Sequence, residues 1–296
     1  KNIVFKTGLS LTVIALLIKT LKDHEFTICA SKTIFTFAAF FLITLIFSQI
    51  FSVNPWVSFF GSFFRQGGVI NYLHYLLLFF VALILFQNPQ VRQIYLKTVY
   101  IAGIIISLYA IIQWFGFDIF NQATIAPFSG RSFATIGNPT FLGALLIFPF
   151  FVQIAEFTKK HHPKNLLLLV PIVLTFAAIL TTKNRATILA IILATTIAVL
   201  TKYKKLLFPA TGLLAIIVAI IVNFYGTDLR STMSRITIWN SSIDIIREQP
   251  LIGHGAESFA ALFEKFVRPE FFKNEDYYDL VDRPHNEILE FWINFG

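Results

Sequence analysis

The 296-residue chain has a single cysteine, Cys29. That excludes an internal disulfide and a cysteine-based metal site. Charge is also scarce. Asp, Glu, Lys and Arg make up 14% of the residues, against roughly 25% in soluble domains. There is no His-x-x-x-His and no clustering of carboxylates at zinc-ligand spacing. No glycine-rich phosphate loop carries its lysine, and Gly-x-Ser-x-Gly is missing. No metal and no cofactor is therefore expected. Linker-like tracts, low-complexity segments and convincing repeats are also lacking.

Hydrocarbon takes the place of charge. The composition is 56% hydrophobic and includes 35 Phe. Apolar runs of about 17 residues or more recur along the chain, the length that marks membrane spans. The fold class is all-α: a polytopic transmembrane helical bundle, because open strands in lipid would leave backbone groups unpaired. Expected spans are Ile3–Ile18, Thr33–Phe51, Val69–Phe86, Leu96–Phe115, Thr140–Phe157, Leu166–Thr182, Ala186–Leu200 and Leu206–Phe224. A ninth starts near Glu287. The division is a bundle over 1–224, a polar loop over 225–285, and the start of a further helix over 286–296. The chain opens on Lys1 and stops at Gly296 inside apolar sequence, so a fragment of a longer protein is expected. No cleavable signal peptide is visible.

The net charge of +8 reports topology here rather than a nucleic-acid partner. Lys19, Lys22 and Lys32 fall in one connection, and Arg92 and Lys97 flank the next on that side. Lys159, Lys160 and Lys164 follow, then Lys202, Lys204 and Lys205. By the positive-inside rule these alternate loops are cytoplasmic. The loops Ser52–Gly68, Gly116–Pro139, Thr181–Arg185 and Tyr225–His285 then face outward. The last is about sixty residues long, far more than a connection needs, and loops of that length are usually functional.

Inside the long loop, Ser234–Gln249 reads as a helix with Ser234 as N-cap. Ile236, Trp239, Ile243 and Ile246 would form its apolar face. Pro250 ends it, and Gly253 and Gly255 permit a sharp turn. Glu257–Val267 reads as a second short helix. The acidic stretch Glu270–Asp282 reads as a solvated loop in preference to a Ca²⁺ or Mg²⁺ site.

The outward loops hold basic residues that oppose the topology signal: Arg65, Arg131, Lys183, Arg185, Arg235 and Arg283. Two readings account for them. They converge on an anion such as a diphosphate, held by charge-assisted and bidentate hydrogen bonds. Alternatively, each reaches the lipid headgroups or pairs with a local acid. Arg185 favours the first, since its turn contains no acid. His285 is the candidate general base, because an imidazole pKa near 6.5 suits proton abstraction at neutral pH. Asp282 lies three residues before it and could orient the ring. An ordinary boundary histidine is the alternative. His254, between two glycines, reads as a turn residue. His161 and His162 read as a solvated cluster, His74 as packed within its span, and His24 as a loop residue.

Taken together, these motifs resemble a known family. Arg235 and Trp239 lead a helix that ends at Pro250-Leu251-Ile252-Gly253-His254-Gly255, and the next span begins at His285-Asn286-Glu287-Ile288-Leu289. Gly137-Asn138-Pro139 with Gly143, and Thr181-Thr182-Lys183-Asn184-Arg185, add to the pattern. The order and sidedness resemble the O-antigen ligase family, with its related polymerases and protein O-oligosaccharyltransferases, over roughly Phe64 to Gly296. Asn184 stands where many relatives have Ser.

The resemblance implies an integral-membrane glycosyltransferase of the cytoplasmic (inner) membrane, with its site facing outward. Its donor would be a polyprenyl-diphosphate-linked glycan and its acceptor a hydroxyl on a glycan, lipid or protein. By similarity Arg185, Arg235 and Arg131 would contact the diphosphate, and His285 would act on the acceptor. Arg65 and Lys183 would join the diphosphate group, with Asn286, Asp282, His254 and Trp239 in support. A polymerase of the lipid-linked glycan differs only in acceptor. A transporter of lipid-linked sugar is the rival of another class, but it should place charged or broken segments at mid-membrane. Here the span centres are nearly uncharged.

Overall fold

The computed structural model describes residues 2–23, 31–63, 65–120, 130–159, 166–202, 229–273 and 281–296. The expected span Leu206–Phe224 lies outside these residues. So do Cys29, His24, His161, His162, Lys204, Lys205, the start of the long loop, and residues 274–280 of its acidic stretch. Among the described residues there is helix and no strand. The helices are α1 (Asn2–Asp23), α2 (Lys32–Ile50), α3 (Pro55–Phe60), α4 (Val69–Leu85), α5 (Pro89–Trp114) and α6 (Pro139–Lys159). They continue as α7 (Leu169–Thr181), α8 (Arg185–Lys202), α9 (Leu229–Glu248), α10 (Phe259–Phe266) and α11 (Glu287–Phe295). By length and composition α2, α5 and α6 can cross a membrane, and α4 and α8 contain shorter apolar stretches.

Two compact units result: Lys1–Asn88 with Thr227–Gly296, and Pro89–Gly226. In the second unit, α5, α6 and α7 enclose a core of Ala110, Leu142, Leu146, Phe150, Ala178 and Ile179. Small residues set the helix spacing. A Cβ on Gly103 of α5 would lie 2.4 Å from Pro149 of α6. One on Gly143 of α6 would lie 2.4 Å from Thr187 Oγ1 of α8. Asn138 caps α6, accepting from Thr140 N at 2.8 Å. A cavity of about 650 Å³ opens between α5 and α6 beside Lys97, Tyr100, Glu156 and Lys159. It lies at the far end of α6 from Asn138 and Gly143.

In the first unit, the polar segment folds onto itself and onto α2 and α4. Ile238, Ile245 and Ile246 of α9, Phe259, Leu262 and Phe263 of α10, Phe271, and Ile293 of α11 form one core. Leu45, Val69, Ala256 and Phe295 form a second. Ser48 Oγ donates to Asn294 O at 2.5 Å, tying α2 to α11.

The expected start of α9 is corrected. The helix begins at Leu229, so Ser234 is a buried interior residue rather than a cap. The face packed into the fold differs from the hydrocarbon face read from the sequence: Ile236 and Ile243 are 43% and 41% exposed. The buried stripe runs through Ser234, Thr237, Ile238, Ser241, Ser242, Ile245 and Ile246. Small hydroxyl residues fill the close approach, and Ser242 Oγ returns its proton to Ile238 O at 2.8 Å.

Gly143→Ala should therefore lower stability by about 1–3 kcal/mol, the usual cost of overpacking a tight contact. Thermal unfolding in detergent checks this. Adding Thr187→Ala to Gly143→Ala should recover part of the loss.

Candidate active site

In the first unit the site is built on the junction between the polar segment and α11. Trp239 of α9 donates its indole N–H to Pro284 O at 2.9 Å. Asn286 caps α11, its Oδ1 accepting from Ile288 N at 3.0 Å and Leu289 N at 3.3 Å. Between these fixed points His285 adopts the left-handed backbone, φ 51. Histidine is among the few non-glycine residues enriched there. The turn thus directs an exposed imidazole from a backbone held on both sides.

Cations surround that imidazole. Partial burial and the positive fields of Arg235, Arg65 and Arg283 hold the His285 pKa below its ordinary value, while Asp282 pulls it up. Asp282 accepts from Arg65 Nε at 2.6 Å and Nη2 at 2.5 Å. Arg283 pairs with Glu290 of α11 at 3.6 Å. The exposed Arg235 lies one helical turn before Trp239 on α9. Arg65, Arg235, Arg283, Asp282 and His285 thus share one region of this unit. Glu257 anchors the Arg65 loop: it accepts from Ser62 N at 2.7 Å and from Gly67 N. No sequence signal marked it, because an acid ahead of a short helix looks solvated.

His254 is not in that group. It is buried, and its Nε2–H donates to Ile245 O at 3.0 Å. Its backbone bonds to Ile293 O at 2.8 Å and accepts from Val53 N at 3.0 Å. The glycines beside it are required: a Cβ on Gly253 would lie 2.4 Å from Phe295 N, and one on Gly255 would lie 2.1 Å from Ser52 Oγ. The Gly-His-Gly run clasps α9, α11 and the start of α3 together.

The second unit gathers its own cations at the turn between α7 and α8. Arg131 Nε donates to Thr182 O at 2.9 Å, and Ser132 N to Thr181 O at 3.1 Å. Gln113 Oε1 accepts from Phe133 N and Ala134 N at 2.9 and 2.8 Å, fixing the segment that carries Arg131. Lys183, left-handed at φ 49, places Nζ 5.0 Å from the Trp114 ring centroid. Asn184 serves as the N-terminal cap of α8: Oδ1 accepts from Ala186 N at 3.2 Å, and Nδ2 donates to Thr187 Oγ1 at 2.8 Å. Arg185 is the exposed first residue of α8. The structure thus brings Arg131 and Lys183 to one turn, with Arg185 beside it.

The described residues are those of an all-α membrane protein with an arginine-rich, histidine-bearing surface at a helix junction. The family model described as O-antigen ligase matches residues 170–296. The match takes in Lys183, Arg185, Arg235, His254, Asp282, His285 and Asn286, and leaves Arg65 and Arg131 outside it. It supports the resemblance read from the sequence: a multi-pass membrane glycosyltransferase of O-antigen ligase and polymerase type. No curated protein and no solved structure matches the chain significantly.

The two histidines should separate by stability. His254→Ala removes the buried ring's hydrogen bond to Ile245 O and opens a void, and should cost about 1–3 kcal/mol. His285→Ala removes an exposed ring and should leave the unfolding temperature within about a degree of the parent. Thermal unfolding of both variants in one detergent checks this.

Proposed function

We propose that the protein transfers a glycan from a polyprenyl-diphosphate donor to an acceptor hydroxyl at the outer face of the cytoplasmic membrane. The observation that carries this reading is the exposed His285 on a turn pinned by Trp239 and Asn286 among arginines. A depressed pKa keeps the imidazole neutral, and so able to accept a proton, to more acidic pH than a free histidine. In the reaction the acceptor oxygen attacks the anomeric carbon, and its proton passes to His285. The bond from that carbon to the diphosphate oxygen breaks, and the electron pair leaves with the polyprenyl diphosphate.

Negative charge therefore grows on the leaving oxygen. Arginine donors fixed in advance stabilise the transition state more than the ground state. In this unit Arg235 is proposed for that role first, because the Nε edge of Arg65 is already on Asp282. The diphosphate role of Arg131, Lys183 and Arg185 is proposed on the sequence resemblance and on the cation group that their own unit gathers. Ligase and polymerase share this chemistry and differ in what presents the hydroxyl.

The test is transfer by the purified protein from a lipid-diphosphate glycan to candidate acceptors, followed by mass analysis. His285→Ala should lower the rate by about 10²–10⁴-fold, the range of a general base. Arg185→Ala and Arg235→Ala should each cost on the order of 10–1,000-fold, and Lys should rescue poorly. The acid limb of the unmodified enzyme should fall below the free imidazole value of about 6.5. A folded His285→Ala protein above about a tenth of the normal rate rules out the base role.

A further inference from the structure

Glu257 has no part in the chemistry above, yet the cation group of the first unit is built over it. It sits just before α10 in the left-handed backbone, φ 55. Its carboxylate reaches back across the fold to the connection between α3 and α4. There it accepts one backbone N–H from each side of the loop, Ser62 N at 2.7 Å and Gly67 N. The loop is closed from within as well. A Cβ on Gly61 would lie 2.6 Å from the Gln66 backbone carbon, and one on Gly68 would lie 2.3 Å from Gly61 N. A Cβ on Gly67 would lie 2.7 Å from Glu257 Oε1, so glycine there admits the carboxylate.

What this closed loop presents is Arg65. Its backbone N–H donates to Ser62 Oγ at 3.2 Å, and its guanidinium takes Asp282 Oδ2 with both Nε and Nη2. Asp282 is three residues before His285. An ion pair this exposed, 38% and 42% for its two side chains, holds its shape only if its backbone supports are fixed. Asp282 has the Pro284 anchor close behind it, and Arg65 has Glu257.

We propose that Glu257 is a positioning residue for His285: its carboxylate holds the 61–68 loop so that Arg65 grips Asp282, and that pair sets the electrostatic surroundings of the imidazole. This rests on the reading of His285 as the base. The charged groups felt by the imidazole are Arg235 from α9, Asp282 and Arg283 from its own segment, and Arg65 from the loop. Releasing the loop removes the positive field of Arg65 and leaves Asp282 with its negative charge unopposed. Both changes favour the protonated imidazole, so its midpoint should rise and the base form at acid pH should thin out.

The test uses the full chain in lipid nanodiscs. His285 is titrated by the pH dependence of its modification by diethyl pyrocarbonate, read on its peptide by mass spectrometry, and transfer is measured over the same pH range. Glu257→Gln and Glu257→Ala should raise the midpoint by about half a unit or more, which is about threefold in the neutral-to-protonated ratio. The acid limb of transfer should move with it. Arg65→Ala should do the same, and Arg65→Ala combined with Glu257→Gln should shift no further, because the two act through one contact. An unmoved midpoint in both Glu257 variants overturns the proposal, as does one in Glu257→Gln alone should Glu257→Ala not fold. Additive shifts overturn it too, and so does a lowered unfolding temperature with no shift. If the midpoint moves as expected but His285→Ala still transfers glycan, the coupling stands and the base role fails.

Discussion

The hydrogen bond from the Trp239 indole to the Pro284 carbonyl is the constraint on which the site depends. It joins α9, which carries Arg235, to the turn that carries His285. A net hydrogen bond contributes about 1 kcal/mol, and a left-handed non-glycine residue costs about 1–2 kcal/mol. The bond therefore does not hold the turn alone. The Asn286 cap adds about 1 kcal/mol, and the Arg283–Glu290 pair and the burial of Pro284 complete the support. Removing one support should loosen the imidazole before it unfolds the unit.

Why arginine surrounds the imidazole follows from the same arrangement. A leaving diphosphate needs positive charge that stays in place, and guanidinium groups keep theirs at every working pH. Burial and their fields also depress the histidine pKa, so on the proposed reading one set of charges would serve both the leaving group and the base. Asp282 tempers that field, and Arg65 tempers Asp282. The cost is a cluster of like charges, which the fold meets with the acids Glu257, Asp282 and Glu290 placed against loop, arginine and helix.

The helices were legible because long apolar runs allow little else in lipid. α2, α4 and α6 begin and end within a residue or two of their expected limits. α5 starts earlier, at Pro89, because its first turns are polar and carry Gln90 and Arg92. The face of α9 was not legible. Ser and Thr packed at a close approach look polar to a pattern that counts only hydrocarbon, so the stripe that packs into the fold differs from the face that carries Ile236 and Ile243. The candidate groups, His285 and Arg235 in one unit and Arg185 and Arg131 in the other, stand out in the sequence, since reactive groups are rare in so apolar a chain. Their partners could not. Arg65 meets Asp282 across 217 positions, and Glu257 meets Ser62 across 195. Nothing local in either segment marks the other.

The most direct measurement of the central claim is transfer by Trp239→Phe, which keeps the ring and removes the N–H that holds Pro284. The account predicts a fall of about tenfold or more in the maximal rate, since a misplacement near 1 Å can cost 10²-fold. Donor KM and unfolding temperature should stay near those of the parent. A Trp239→Phe protein that transfers glycan at the full rate would contradict the claim that this hydrogen bond positions the base.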